Sequence, residues 1–466
     1  MSGFRIERDA LGEVEVPADA LWGAQTERAR RNFQLSGMPV PAPFLRALAR
    51  IKAACAAANG ELGELEPALA RAIAAAADEV AGGAYLDQFP VDVLQTGSGT
   101  STNMNMNEVL AALAARSLGR PVHPTDHVNR GQSSNDVVPS AIHVGAALEL
   151  SGRLLPAAAY LEQALGAKAA ALAGVIKTGR THLMDAVPLR MGDEVGAWRT
   201  QVAQARERLA ACLPRLRLLA LGGTAVGTGL NAHPELAGAA CAHLHRVTGI
   251  AFAPAPDRFE RIATQDTALE LSGQLRGLAV ALLRIANELR WLNSGPLGGI
   301  AEIELPALQP GSSIMPGKVN PVIPEAVAMA ATLAIGHDAA VAAAAPAGSF
   351  QLHTMLPLVA HALFEMLEVL SNACRSLADQ AIAGLQPKTA RIAANLERNP
   401  ILATALAPLI GYDAASKLAQ QAAREGRPVR VVAREALPSI PPEELDRLLD
   451  PAALADARTR LEGAGG

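Results

Sequence analysis

The chain has 466 residues, half of them hydrophobic, 18% charged and 3% aromatic, with 41 basic against 45 acidic residues for a net charge of −4. So even a balance, with so few rings, leaves neither a basic stripe nor an aromatic platform for nucleic acid, and no cationic face for an anionic membrane. Alanine, the strongest helix former, supplies about a fifth of the residues, so a mostly helical chain of more than one usual domain is expected.

The opening MSGFRIERDALGEVEVP contains no apolar stretch of the kind a secretory signal needs, and it alternates around Leu11-Gly12 as a short hairpin. An alanine-rich helical pattern sets in from Ala42 to Ala81. Three later stripes repeat at alternating intervals of three and four: Val195, Trp198, Val202, Ala205, Leu209, Cys212 and Leu216; Leu271, Leu275, Leu278, Leu282, Ile285, Leu289 and Leu292; and Val359, Leu363, Met366, Leu370, Ala373 and Leu377. That spacing predicts long helices packed nearly parallel in a bundle. Ala and Gly beside the stripes predict burial on several sides, continuing into a subunit interface. After Gln386 the chain turns more charged. The expected division is an N-terminal, mostly helical domain (1–132), a central bundle (133–389) and a small C-terminal helical domain (390–466). Cys55, Cys212, Cys241 and Cys374 lie far apart with no CxxC pair, as reduced core thiols of a cytoplasmic protein do. No unbroken apolar run reaches about 18 residues, so no membrane span is expected.

Four polar stretches interrupt this apolar chain: QTGSGTSTNMNMNE (95–108), HPTDHVNRGQSSND (123–136), KTGRTHLMDAVP (177–188) and GSSIMPGKVNPVIPE (311–325). All four read as loops. In the last, Gly311 and Gly317 permit turns, while Pro316 and Pro321 stop a helix. Ile314, Met315 and Val319 are expected to anchor it to the core, leaving Ser312, Ser313, a buried Lys318 and Asn320 to bind an anion. TGSGT has neither P-loop nor dinucleotide-fold spacing, but its backbone N–H groups and the Thr100 hydroxyl suit a carboxylate. Ser133, Ser134 and Asn135 precede a helical segment, where donors favour an anion; the plainer alternative is a serine N-cap. His182, in the GRTH turn, is a candidate acid or base. No His or Cys pair has metal-ligand spacing, so no metal site is expected. Together the stretches suggest a small polycarboxylate held by neutral donors, with proton transfer at carbon.

At GSSIMPGKVNP the chain resembles the aspartase/fumarase superfamily, and TGSGTSTNMNMNEV, QSSND, GRTHLMDAVP and GGTAVGTGLN (222–231) extend the likeness over nearly its whole length. QSSND and GRTH, where aspartases typically read QSTND and GRTQ, are similar to class II fumarases. The resemblance implies a three-domain helical subunit in a homotetramer, with active sites shared between subunits, hydrating fumarate to L-malate in the tricarboxylic acid cycle without metal or organic cofactor. It assigns Ser312 as the base at C3 of malate. Lys318, Asn320 and Thr181 become donors to the aci-carboxylate that forms, and His182 the group that helps hydroxide leave as water. Glu325 is the carboxylate partner of that histidine, while Ser98, Thr100, Ser133, Ser134 and Asn135 hold the substrate. His123 and Asp126 match an accessory dicarboxylate site.

Three departures stand out: His353 in FQLHTMLP where relatives have Asn, Thr125 in HPTD for HPND, and Asp193 in GDE for GQE. Asp193 is expected in a buried hydrogen bond. Two rivals remain, an aspartate ammonia-lyase and a non-catalytic tetrameric scaffold. His182 argues against the first, and retention of Ser312, Lys318 and His182 against the second.

Overall fold

The computed structural model describes residues 3–456. The architecture is mostly α-helical, with only two-stranded sheets among the described residues. The expected hairpin forms from Phe4–Asp9 and Gly12–Pro17, with Asp9 opposite Gly12. Gly12 has φ +109°, a conformation glycine adopts without strain. The inward Val14 and Val16 pack on Ala20, Ala24 and Trp22. The next helix, Ala24–Asn32, has no side-chain cap of its own. Its first turn is capped instead by Glu108, which accepts from the N–H groups of Gly23 (2.9 Å), Gln25 (3.0 Å) and Thr26 (3.1 Å) and from the Thr26 hydroxyl.

The contacts divide into two compact units. The first comprises Met1–Ala157, Ala205–Val280 and Ala330–Asn372; the second comprises Ala158–Gln204, Ala281–Met329 and Ala373–Gly466. Every residue of the three sequence stripes is 5% exposed or less. They lie mainly on the helices Met191–Ala210, Asp266–Asn293 and Leu356–Leu377; the first of these ends before Cys212, and Leu213–Leu216 restarts. The 28-residue Asp266–Asn293 helix is about 42 Å long at ~1.5 Å per residue. In the first unit, Gly145 admits the Phe364 ring, whose Cζ lies 2.5 Å from where a Cβ would stand. In the second, Leu406, Val432, Ala433 and Leu445 form the centre of a C-terminal core. All four cysteines are free and buried.

The segment Val322–Ala347 is long and apolar enough, by length and composition, to cross a bilayer. Its polar residues break the run but not the average. Ala331, Ala334, Val341 and Ala344 on it are fully buried, and Asp338 accepts from Ser272 and, at 2.7 Å, from Arg276. An ion pair of that kind belongs to a helix packed in protein. Met329 and Leu333, by contrast, are 68% and 49% exposed in the single chain.

Candidate active site

In the first unit, three of the sequence motifs meet. Residues expected as a loop over 95–108 are a helix from Thr100 onward, Thr100–Leu118, entered through Gly99 at φ +72°. Its polar residues misled because they are turned inward. Thr102, Asn103, Asn105 and Asn107 are all 3% exposed or less, and the amide nitrogens of Asn103, Asn105 and Asn107 donate to Ser134, Gln88 and Asn129, distant in sequence. Gly97 lies so close to the loop at 354 that a Cβ would stand 1.9 Å from the Thr354 carbonyl oxygen. Ser98 and Thr100 share a hydroxyl hydrogen bond of 2.8 Å. Ser133 is indeed an N-cap: its hydroxyl accepts from Asn135 N–H, and Asp136 accepts from Ser133 N–H at 2.9 Å, closing a capping box. The other Asp136 oxygen accepts from Gly222 and Thr224 N–H (3.1 and 2.9 Å), and Asn135 Nδ2 donates to Ala225 O at 2.8 Å. QSSND is thereby tied to GGTAVG, while Asn103 Nδ2 joins it to the TGSGT helix through Ser134 Oγ at 3.0 Å. Burial pushes the Asp136 carboxyl up to about 6, against the pull of the N–H groups of Ser133 and Thr224.

The second unit carries the remaining candidates. Ile176–Thr181 and Met184–Arg190 form a hairpin whose two-residue tip is His182-Leu183, at φ 55° and 62°. Two left-handed non-glycine residues in succession are strained, at roughly 1–2 kcal/mol each. The strand beneath holds them. Lys177, 1% exposed, sits 2.8 Å from both Glu302 and Glu194, and Arg180 forms a two-bond pair with the equally buried Glu302. Burial alone would raise the Glu302 carboxyl, yet Arg180 and Lys177 outweigh it and hold it below the ordinary value. Thr181 and His182 project exposed from this rigid base.

The 311–321 loop closes on itself. Gly311 N–H donates to Lys318 O (2.8 Å), and Asn320 Nδ2 donates to Gly311 O (2.7 Å). Ser312 Oγ accepts from the N–H groups of Ile314 (3.2 Å) and Met315 (3.0 Å). Two backbone donors on one hydroxyl oxygen are what a serine needs if its alkoxide is to be stabilised. The apolar anchors expected from the sequence are absent: Ile314, Met315 and Val319 are 84%, 48% and 46% exposed. Lys318 is exposed rather than buried. Backbone hydrogen bonds, not apolar contacts, give this loop its shape. Lys318, Asn320 and Glu325 line a cleft of 830 Å³ with Trp291, Asn293 and Lys388. Among the described residues, no hydrogen bond joins His182 to Glu325 within the chain.

The remaining positions are peripheral to these clusters. His123 Nδ1 accepts from Thr125 and Asp126 N–H in an exposed turn, and the Asp126 carboxylate is 3.4 Å from the same nitrogen. Asp193 is exposed in the first turn of its helix, correcting the expected buried bond; a carboxylate there is favoured by the helix dipole. His353 is fully buried, with Nδ1 accepting from Met355 N–H and Nε2 therefore donating to Ala344 O at 2.9 Å. Sequence reasoning passed over Asp136, Glu302 and Lys52. Burial pushes the Lys52 ammonium down to about 7. In the alanine-rich Ala42–Glu61 helix a single lysine looks like part of a solvated face, and only the tertiary fold shows otherwise.

Long buried helices, hydrogen-bond donors gathered at helix starts and a serine-centred loop go with a match to lyases. The family model described as "Lyase" matches residues 12–336, and "Fumarase C C-terminus" matches residues 402–456. A class II fumarate hydratase of Xylella fastidiosa is 55% identical over 463 residues, 99% of this chain and 98% of that protein. A Pseudomonas aeruginosa protein, "Fumarate hydratase class II 2", is 54% identical over 97% of this chain and 98% of its own length. The crystal structure of class II fumarase from Schistosoma mansoni has a TM-score of 0.94 and 37% identity, covering 98% of this chain and all of that one. The chain belongs to the class II fumarate hydratase family.

Proposed function

We propose that this enzyme adds water reversibly across the double bond of fumarate, giving L-malate. The observation that carries the reading is the Ser312 hydroxyl oxygen with two backbone N–H groups aimed at it, in a chain related over nearly its full length to fumarate hydratases. In the malate-to-fumarate direction Ser312, as its alkoxide, removes a C3 proton, and the electron pair passes into the adjacent carboxylate as a dianionic aci-carboxylate. Lys318, Asn320 and Thr181 donate to that charge. His182 gives a proton to the departing C2 hydroxide, so that water leaves, and Glu325 orients the imidazole. Ser98, Thr100, Ser133, Ser134 and Asn135 hold the carboxylates through uncharged donors, which orient a dianion without binding it as tightly as several arginines would.

In the same reading the subunit has three domains (1–132, 133–389 and 390–466) and works in the cytoplasm as a homotetramer. The exposed apolar Met329 and Leu333 of the Val322–Ala344 helix support such an interface. Active sites shared between subunits would supply from a second copy the histidine–carboxylate pairing that is not made within one chain. His123 and Asp126 belong to an accessory dicarboxylate site. The test is ultraviolet detection of fumarate from L-malate and, separately, from L-aspartate, with chelator in both. Fumarate from malate alone is the expected result. Fumarate from aspartate alone would transfer the chain to the ammonia-lyases, and silence in both would refute catalysis by this site.

A further inference from the structure

Lys52 lies in the Ala42–Glu61 helix and has no exposed surface, with the buried Asp136 carboxyl near enough to act on its charge. Its Nζ donates to Asn129 Oδ1 and Gln132 Oε1, both at 2.9 Å. Both amides turn their oxygens toward it, and Nζ has hydrogens for the two contacts whether charged or neutral. Their nitrogens are spent in the same loop: Asn129 Nδ2 donates to Gln132 O, and Gln132 Nε2 to Val128 O and Arg130 O. With Asn129 Oδ1 fixed as an acceptor, Asn103 and Asn107 must each face it through Nδ2, at 3.3 and 3.2 Å. The second hydrogen of Asn103 Nδ2 then goes to Ser134 Oγ at 3.0 Å.

From this chain of donors and acceptors we infer that Lys52 is a positioning residue for the reaction, fixing hydrogen-bond direction so that the Ser134 hydroxyl is left to donate to a substrate carboxylate. The inference rests on Ser134 being a carboxylate contact. Asn103 Oδ1 and Asn107 Oδ1 are both buried without a protein partner among the described residues. An amide free to turn would exchange such an oxygen for a better arrangement, and Lys52 forbids the exchange. Ser134 Oγ has its acceptor role filled by Asn103, and its own hydrogen has no acceptor among the described residues. A carboxylate oxygen arriving there meets a hydroxyl already pointed correctly.

The experiment is steady-state kinetics on L-malate with the full-length enzyme, comparing Ser134→Ala, Lys52→Met and the double variant. Ser134→Ala and Lys52→Met should each raise KM about tenfold, with kcat for Lys52→Met within about threefold. In the double variant KM should stay within about twofold of Ser134→Ala alone, since residues acting through one contact are not additive. Effects that multiply would overturn the inference, as would an unchanged KM for Lys52→Met. Should Lys52→Met not fold, Asn103→Asp keeps the buried lysine and replaces the donor facing Ser134 with an acceptor. KM must then rise as it does for Ser134→Ala, and an unchanged value refutes the lysine's role. An unchanged KM in Ser134→Ala itself instead removes Ser134 from the substrate site, and the inference with it.

Discussion

Replacing Glu302 by glutamine probes the base on which His182 stands. The carboxylate is 1% exposed and accepts from Lys177 at 2.8 Å and from both terminal nitrogens of Arg180. Glutamine keeps the shape, but it must turn an NH2 group toward one of two cations. Removing one partner of a buried ion pair costs about 3–5 kcal/mol. Lys177 retains Glu194 at 2.8 Å, which places the loss near the lower end, about 3 kcal/mol. With a denaturant slope of about 3 kcal/mol per molar, the urea midpoint should fall by about 1 M. Turnover should fall at least about tenfold, since displacing a reacting group by ~1 Å can cost 10²-fold. The Glu302 carboxyl is held below its ordinary value of 4.5. Its contribution is therefore complete above that pH and disappears as pH falls through the lowered folded value, so the two proteins should converge on acidification. An unchanged midpoint and turnover, or a gap that widens in acid, would refute the reasoning.

Ser312→Ala should reduce turnover about a thousandfold with an unchanged circular dichroism spectrum; near-normal activity would exclude Ser312 as the base. Gly97→Ala puts a Cβ where the Thr354 carbonyl leaves 1.9 Å, so the backbone carrying Ser98 and Thr100 must shift, and KM for malate should rise tenfold or more by initial-rate assay. In His353→Asn a buried ring that satisfies two backbone groups is shortened. A loss of about 1–2 kcal/mol is expected in urea titration, with kcat/KM within about threefold. A switch of preferred substrate would show instead that His353 sets specificity.

The bundle stripes were legible because apolar spacing along a helix is a one-dimensional property: each of Leu271, Leu275, Leu278 and Leu282 proved fully buried. The Ser133 cap was legible for the same reason, its partner Asp136 being three residues on. NMNMNE was not, because whether Asn103 or Glu108 faces water depends on partners far along the chain. The 311–321 loop failed in the opposite direction. Ile314 and Met315 looked like anchors by type, but the backbone bonds around Gly311 and Ser312 already determine the turn. The proposed activity was readable less from chemistry than from long motifs. A serine as base becomes physically reasonable only once the N–H groups of Ile314 and Met315 are seen on its oxygen.

Glu108 caps a helix that precedes it by about 82 residues, which affects the order in which the chain can settle during its synthesis. The Ala24–Asn32 helix leaves the ribosome with its first N–H groups unpaired. At about 5–20 residues per second, their acceptor follows roughly 4–16 s later. This helix, made before its cap, is therefore among the last parts of its neighbourhood to be completed. A nascent chain stopped short of residue 108 presents that start to proteases with no cap at all.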